Sequence, residues 1–133
     1  MTDTFGTLRA GQSAARAAVA PVLTVIEPEA FAPLGRLGEW LFASGARLTM
    51  VRPWQGDPVP DLTEIGDGLV VLGGAMSAHD DDAHPWLADL RHLLRRVVEE
   101  RVPALTICLG AQVAAEALGG ATADRKKIGR AHV

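Results

Sequence analysis

The sequence is short of three things: it has one cysteine, no surplus of positive charge, and no long hydrophobic run. A single thiol, Cys108, can form neither an intramolecular disulfide nor a cysteine-based zinc cluster, so it is either apolar packing or chemistry. Thirteen Lys and Arg against sixteen Asp and Glu leave no electropositive excess, which argues against a nucleic-acid partner. No apolar stretch approaches the roughly 20 residues that span a bilayer, so no membrane partner is expected. Asp80-Asp81-Asp82 has no further oxygen ligands spaced as in a calcium loop and reads as a solvated acidic loop. Neither a metal nor a cofactor is expected.

What is present suits one domain with its own core: 133 residues, 48% of them hydrophobic. Residues 1–20 are rich in Ala, Gly, Ser and Thr and lack apolar periodicity. Arg16 interrupts the one stretch similar to a signal peptide, and no Leu-rich segment accompanies it. Residues 1–20 are therefore expected to be a disordered N-terminal extension, and the location cytoplasmic.

From Val22 the pattern tightens. Val22–Ile26, Arg47–Val51, Gly68–Leu72 and Ala104–Ile107 are short, largely apolar runs of the kind that form strands covered on both faces. Between them, Leu34 to Ala43 and Trp86 to Val98 carry apolar residues at helical spacing, and Leu109 to Leu118 reads as a further helix closed by Gly119-Gly120. Gly45 stands where a terminating glycine belongs, Pro85 near a helix start, and Pro103 beyond a helix end. Strands alternating with helices predict an α/β protein, a doubly wound, mostly parallel sheet.

In that frame Cys108 falls between a strand and a helix. A residue there is held in a tight turn, at a cost of about 1–3 kcal/mol, with its side chain clear of the backbone. Gly110 supplies the small neighbour such a turn needs. The following helix points free N–H groups and its positive end at the sulfur, a setting that suits an anion. The N–H of Leu109 would face an oxyanion forming on an attacked carbonyl. The competing reading is a buried cysteine that merely fills a strand end. Gly73-Gly74, directly after the third strand, allows close backbone approach and offers further N–H donors at the same end of the sheet.

The stretches Gly35–Leu41, Asp67–Gly74 and Ile107-Cys108-Leu109-Gly110-Ala111-Gln112 together resemble class I glutamine amidotransferases, above all those similar to the amidotransferase domain of GMP synthase. The resemblance implies a flavodoxin-like fold, represented here by residues 21–126 as the N-terminal part of one domain, incomplete at the C-terminus. It implies attack by Cys108 on the side-chain amide of glutamine, a glutamyl thioester, and release of ammonia to an acceptor substrate or a synthase partner. It assigns Gly73, Gly74 and Leu109 to the oxyanion and substrate site, and Gln112 to contact with the bound glutamine. Thr106 departs from the family pattern, which usually has glycine two residues before the nucleophile.

The resemblance also calls for a histidine and a carboxylate well beyond Cys108, and the chain as given is expected to lack them and to be inactive. His79, His84 and His92 all read as ordinary loop or helix-surface residues, His79 being the only one close enough to the Gly73-Gly74 loop to approach the site. Residues 127–133 are expected to be a non-native tail, because Ile128–Val133 is a peptide that part of a common sequencing adapter would encode if read through. An incomplete sheet would expose an edge and an apolar helix face, which predicts self-association. Two other readings stay open: a Cys-elbow protein of the DJ-1 or peptidase kind, and a non-catalytic binding module of the same fold.

Overall fold

The computed structural model describes residues 20–122; the extension expected over residues 1–20, Ala20 apart, and the tail at 127–133 lie outside that range. The chain runs through β1 (Val22–Ile26), α1 (Arg36–Ala43), β2 (Arg47–Val51), β3 (Gly68–Val71), α2 (Trp86–Glu99), β4 (Ala104–Thr106) and α3 (Leu109–Ala117). Two short 3-10 turns, Pro53–Gln55 and Leu62–Glu64, occupy the connection from β2 to β3. The four strands form one sheet in the order β2-β1-β3-β4, and every pairing is parallel.

Alternation along the central strands decides what lies on each face. Ile26, Leu69 and Val71 point to one side, where they meet Leu87, Leu90, Leu93, Leu94 and Val97 of α2 and Leu109, Val113 and Ala117 of α3. Val25, Val70 and Leu72 point to the other and meet Leu34, Leu37 and Leu41 at α1. Each large aliphatic side chain withdrawn from water in this way contributes about 2 kcal/mol. One helix on one face and two on the other make the sheet doubly wound, as the alternating pattern predicts.

The stops are chemical. Gly45 and Gly119 adopt left-handed φ angles of 89° and 87° behind α1 and α3. Behind α2 the same left-handed position falls to Arg101, with φ 56°, and Val102 N–H returns to Val97 O at 2.9 Å. The buried hydroxyl of Thr24 donates to Ile65 O at 2.9 Å, so the one polar side chain inside β1 is satisfied. Two strands end a residue earlier than the apolar runs suggest, at Val71 and Thr106. Leu72 N–H and Ile107 N–H still bond across the sheet, to Ile26 O and Val71 O.

Candidate active site

The strand order reverses direction of growth between β1 and β3, and a crevice opens there outside the carboxyl ends of the strands. The chain leaving β1 (Glu27, Pro28, Glu29) and the chain leaving β3 (Leu72, Gly73, Gly74) form its two sides. Cys108 stands next to it, in the turn from β4 into α3.

Cys108 has φ 51° and ψ −112°, one of two left-handed residues other than glycine among those described, and its side chain is exposed. That excludes the buried-filler reading. The strain is imposed from both sides. Ile107 N–H is tied to Val71 O at 2.9 Å, while Gln112 N–H already bonds Cys108 O at 3.0 Å in the first turn of α3. The reversal has to occur at Cys108 itself. α3 enters hard against β3, because a Cβ on Gly110 would lie 2.6 Å from Val71 O. Only glycine permits that approach.

Gly73 and Gly74 lie where the sequence places them. A Cβ on Gly73 would come within 3.2 Å of Cys108 Cβ and 3.9 Å of Sγ. A Cβ on Gly74 would press on Met76, on Leu109 at 3.0 Å and on Pro28 at 3.3 Å. Among the described residues no backbone carbonyl takes the N–H of Gly73, Gly74 or Leu109. Gly73 thus packs against Cys108, Leu109 follows it in the chain, and Gly74 is the residue after Gly73. The Leu109 side chain is buried, and Gln112 lies one turn along α3 with its side chain exposed. Beyond the glycines a cleft of about 920 Å³ opens, lined by Pro28, Glu29, Phe31, Trp54, Met76 and Trp86 among others.

His79 does not approach Cys108. Its Nε2 lies 3.1 Å from Glu116 Oε1 and 3.0 Å from Thr122 Oγ1, near the far end of α3. Eight residues of helix separate Glu116 from Cys108, about 12 Å along the axis. Asp81 is likewise not free in solvent, since the Arg91 guanidinium grips both its carboxylate oxygens. That bond, with the Arg91 charge, holds the Asp81 carboxyl below its ordinary range and raises Arg91. Glu116 is lowered chiefly by the Thr122 hydroxyl, then by the Thr122 N–H and by the charges of His79 and Arg91. Among the described residues no cluster of His, Cys, Asp and Glu could hold a metal ion.

Sequence reasoning missed Glu29. Its Oε2 accepts the N–H of Ala75 at 2.5 Å, the next amide after the glycine pair. The available signal was position: Glu29 follows β1, directly across the switch point from Gly73.

A doubly wound α/β protein with a cysteine elbow at the carboxyl edge of a parallel sheet is what fold and site define. Residues 41–133 match the sequence model of the class-I glutamine amidotransferases, and the chain belongs to that family. It is 32% identical over 106 residues to the glutamine amidotransferase-like protein YfeJ of Salmonella typhimurium, a match covering 76% of this chain and 44% of that one. A glutamine amidotransferase crystal structure from Methylobacillus flagellatus superposes with TM-score 0.69 at 34% identity, covering 75% of this chain and 39% of that one. Another from Thermotoga maritima gives TM-score 0.68 at 25% identity, over 74% and 43%. The chain thus spans less than half the length of each of these relatives.

Proposed function

We propose that Cys108 is the nucleophile of a glutamine-hydrolysing site, and that this chain supplies the attacking half of it. The observation that supports this most strongly is the exposed left-handed cysteine packed against Gly73, next to amides that no backbone carbonyl among the described residues takes. The thiolate adds to the side-chain amide carbon of glutamine. Negative charge then develops on the carbonyl oxygen, where the amides of Leu109, Gly73 and Gly74 receive it. The C–N bond breaks, ammonia leaves after taking a proton, and a γ-glutamyl thioester remains. Water cleaves that thioester to glutamate and free thiol. Gln112, one turn from the sulfur, contacts the glutamine.

Proton delivery to the leaving nitrogen calls for a histidine oriented by a carboxylate. Among the described residues no hydrogen bond joins a histidine to Cys108: His79 pairs with Glu116, and His84 faces Asp80 and Trp86. The family resemblance puts the histidine and its carboxylate in the part of the relatives that this chain does not span. The 133-residue chain on its own is accordingly proposed to be reactive at Cys108 without turning over. The parent is proposed to be a cytoplasmic enzyme of the GMP synthase-like kind, passing ammonia to an acceptor substrate or synthase.

Labelling with a diazo-ketone analogue of glutamine tests the site. Modification at Cys108, abolished by Cys108→Ser, is the expected result. Reaction with generic thiol reagents alone would instead favour a Cys-elbow protein of the DJ-1 or peptidase kind. A thiol inert to both would favour a binding module.

A further inference from the structure

We propose that Glu29 is a positioning residue for the Gly73-Gly74 loop, an inference that rests on reading those amides as the oxyanion donors for Cys108. Between the end of β3 and the start of α2 the chain has neither strand nor helix. After Leu72, still bonded to Ile26 O, come two glycines, the widest-ranging backbone of any residue type, and their amides must stay unpaired to be useful. Such a loop has no ladder of its own to hold it, so something outside it must choose its conformation.

Besides the pairing of His79 with Glu116 and Thr122, two holds act on this segment. At one end the Glu29 carboxylate takes the Ala75 N–H at 2.5 Å, from 46 residues away in the sequence. A few residues further on, Arg91 of α2 donates to Ala78 O at 3.2 Å and grips Asp81. The second hold anchors the loop to the helix behind it. The first sits one peptide from Gly74 and fixes the orientation of the plane that follows the two free amides. Glu29 is itself set by Pro28, which is buried and whose ring closes on Gly74 at 3.3 Å from a Cβ position there. Loops from β1 and β3 are thereby joined across the switch point by one charge-assisted hydrogen bond.

The experiment compares two reagents on the 133-residue chain, its Glu29→Ala and Glu29→Gln variants, and Cys108→Ser as blank. A chloroketone analogue of glutamine reads the oxyanion amides: the thiolate displaces chloride from the methylene carbon while the neighbouring ketone oxygen gathers negative charge. Methyl methanethiosulfonate reads thiol access alone, forming a disulfide as methanesulfinate leaves. Glu29→Ala is expected to slow the chloroketone about tenfold or more, as loss of one hydrogen bond to a charged group allows, with the second rate held within about twofold. Glu29→Gln keeps an acceptor oxygen and is expected to restore the ratio. A merely structural role would move both rates together, and an unchanged ratio in Glu29→Ala overturns the proposal. Should Glu29→Ala not fold, Glu29→Asp, short by one methylene, supplies the same two rates. Hydrogen exchange at the Ala75 amide separates the two ideas. If the wild-type chain does not prefer the glutamine chloroketone to chloroacetone, the glutamine reading is what fails. Exchange at Ala75 in Glu29→Ala should still accelerate about tenfold or more, and unaltered exchange refutes the hold itself.

Discussion

Gly110→Ala places a methyl group 2.6 Å from Val71 O, 3.0 Å from Val71 Cγ1 and 3.1 Å from Val71 C. Two of those atoms are backbone of the central strand β3, and Val71 O is also bonded to Ile107 N–H at 2.9 Å. The strand cannot yield, so α3 has to withdraw by somewhat under about 1 Å to restore ordinary contact distances. Overpacking of this kind costs about 1–3 kcal/mol. Alanine in place of glycine returns at most about 1 kcal/mol of helix propensity. The expected net loss is about 1 kcal/mol, or roughly 4–8 °C in Tm for a domain of this size. Reactivity should suffer far more, because the withdrawal carries Leu109 N–H away from the space beside Cys108. A misplacement on this scale costs about tenfold to a hundredfold in a positioned reaction. Thermal melting and labelling of Cys108 by the glutamine diazo-ketone measure the two effects separately. If Gly110→Ala raised Tm and left the labelling rate alone, the claim that α3 is seated hard on β3 would be wrong.

Arg101→Gly relieves a left-handed residue at the end of α2 and should stabilise the chain by about 1 kcal/mol in denaturant unfolding; a neutral or destabilising result would show that the φ of 56° carries no strain. Asp81 has its carboxyl held low by Arg91, so its contribution is present at neutral pH and disappears as pH falls through the lowered value. The Tm gap between wild type and Asp81→Asn should thus be widest near pH 7 and close as pH falls through and below the ordinary carboxylate range, and a gap independent of pH would refute the pairing. On the edge of the described sheet β4 carries Leu105 at 47% exposure, and Trp40 and Phe42 of α1 stand 64% and 76% exposed. Sedimentation velocity should show concentration-dependent association that Leu105→Lys reduces, since a charge on an edge strand opposes pairing; a monomer at all concentrations would count against it.

The elements were legible because two periods coexist in the chain. Short, largely apolar runs of four or five residues mark β1 to β3, and Leu87, Leu90, Leu94 and Val97 mark the buried stripe of α2. Boundaries were less so. Pro85 caps α2 from just outside it, and Ile107 leaves the strand because Cys108 must turn. Cys108, Gly73 and Gly74 could be placed together because parallel strands deliver their carboxyl ends to one edge. The partners of His79, Asp81 and Glu29 could not, since each bond joins segments that only the packed sheet and helices bring within reach. Sequence spacing contains no term for a carboxylate reaching an amide 46 residues away.

The parallel order of the sheet also has a kinetic consequence. No hairpin can seed it: β1 meets β3 only after a long loop closes, as the 45-residue separation of Val22 N–H and its acceptor Asp67 illustrates. β4 joins through β3 alone, so the elbow cannot take shape before β3 is seated. On this topology the unusual φ of Cys108 is expected to be acquired late in folding, and the chain has no other thiol. A pulse of a glutamine-like electrophile during refolding would mark only molecules that have completed the last docking step. The residue proposed to begin the chemistry would then serve as a stopwatch for the assembly of its own scaffold.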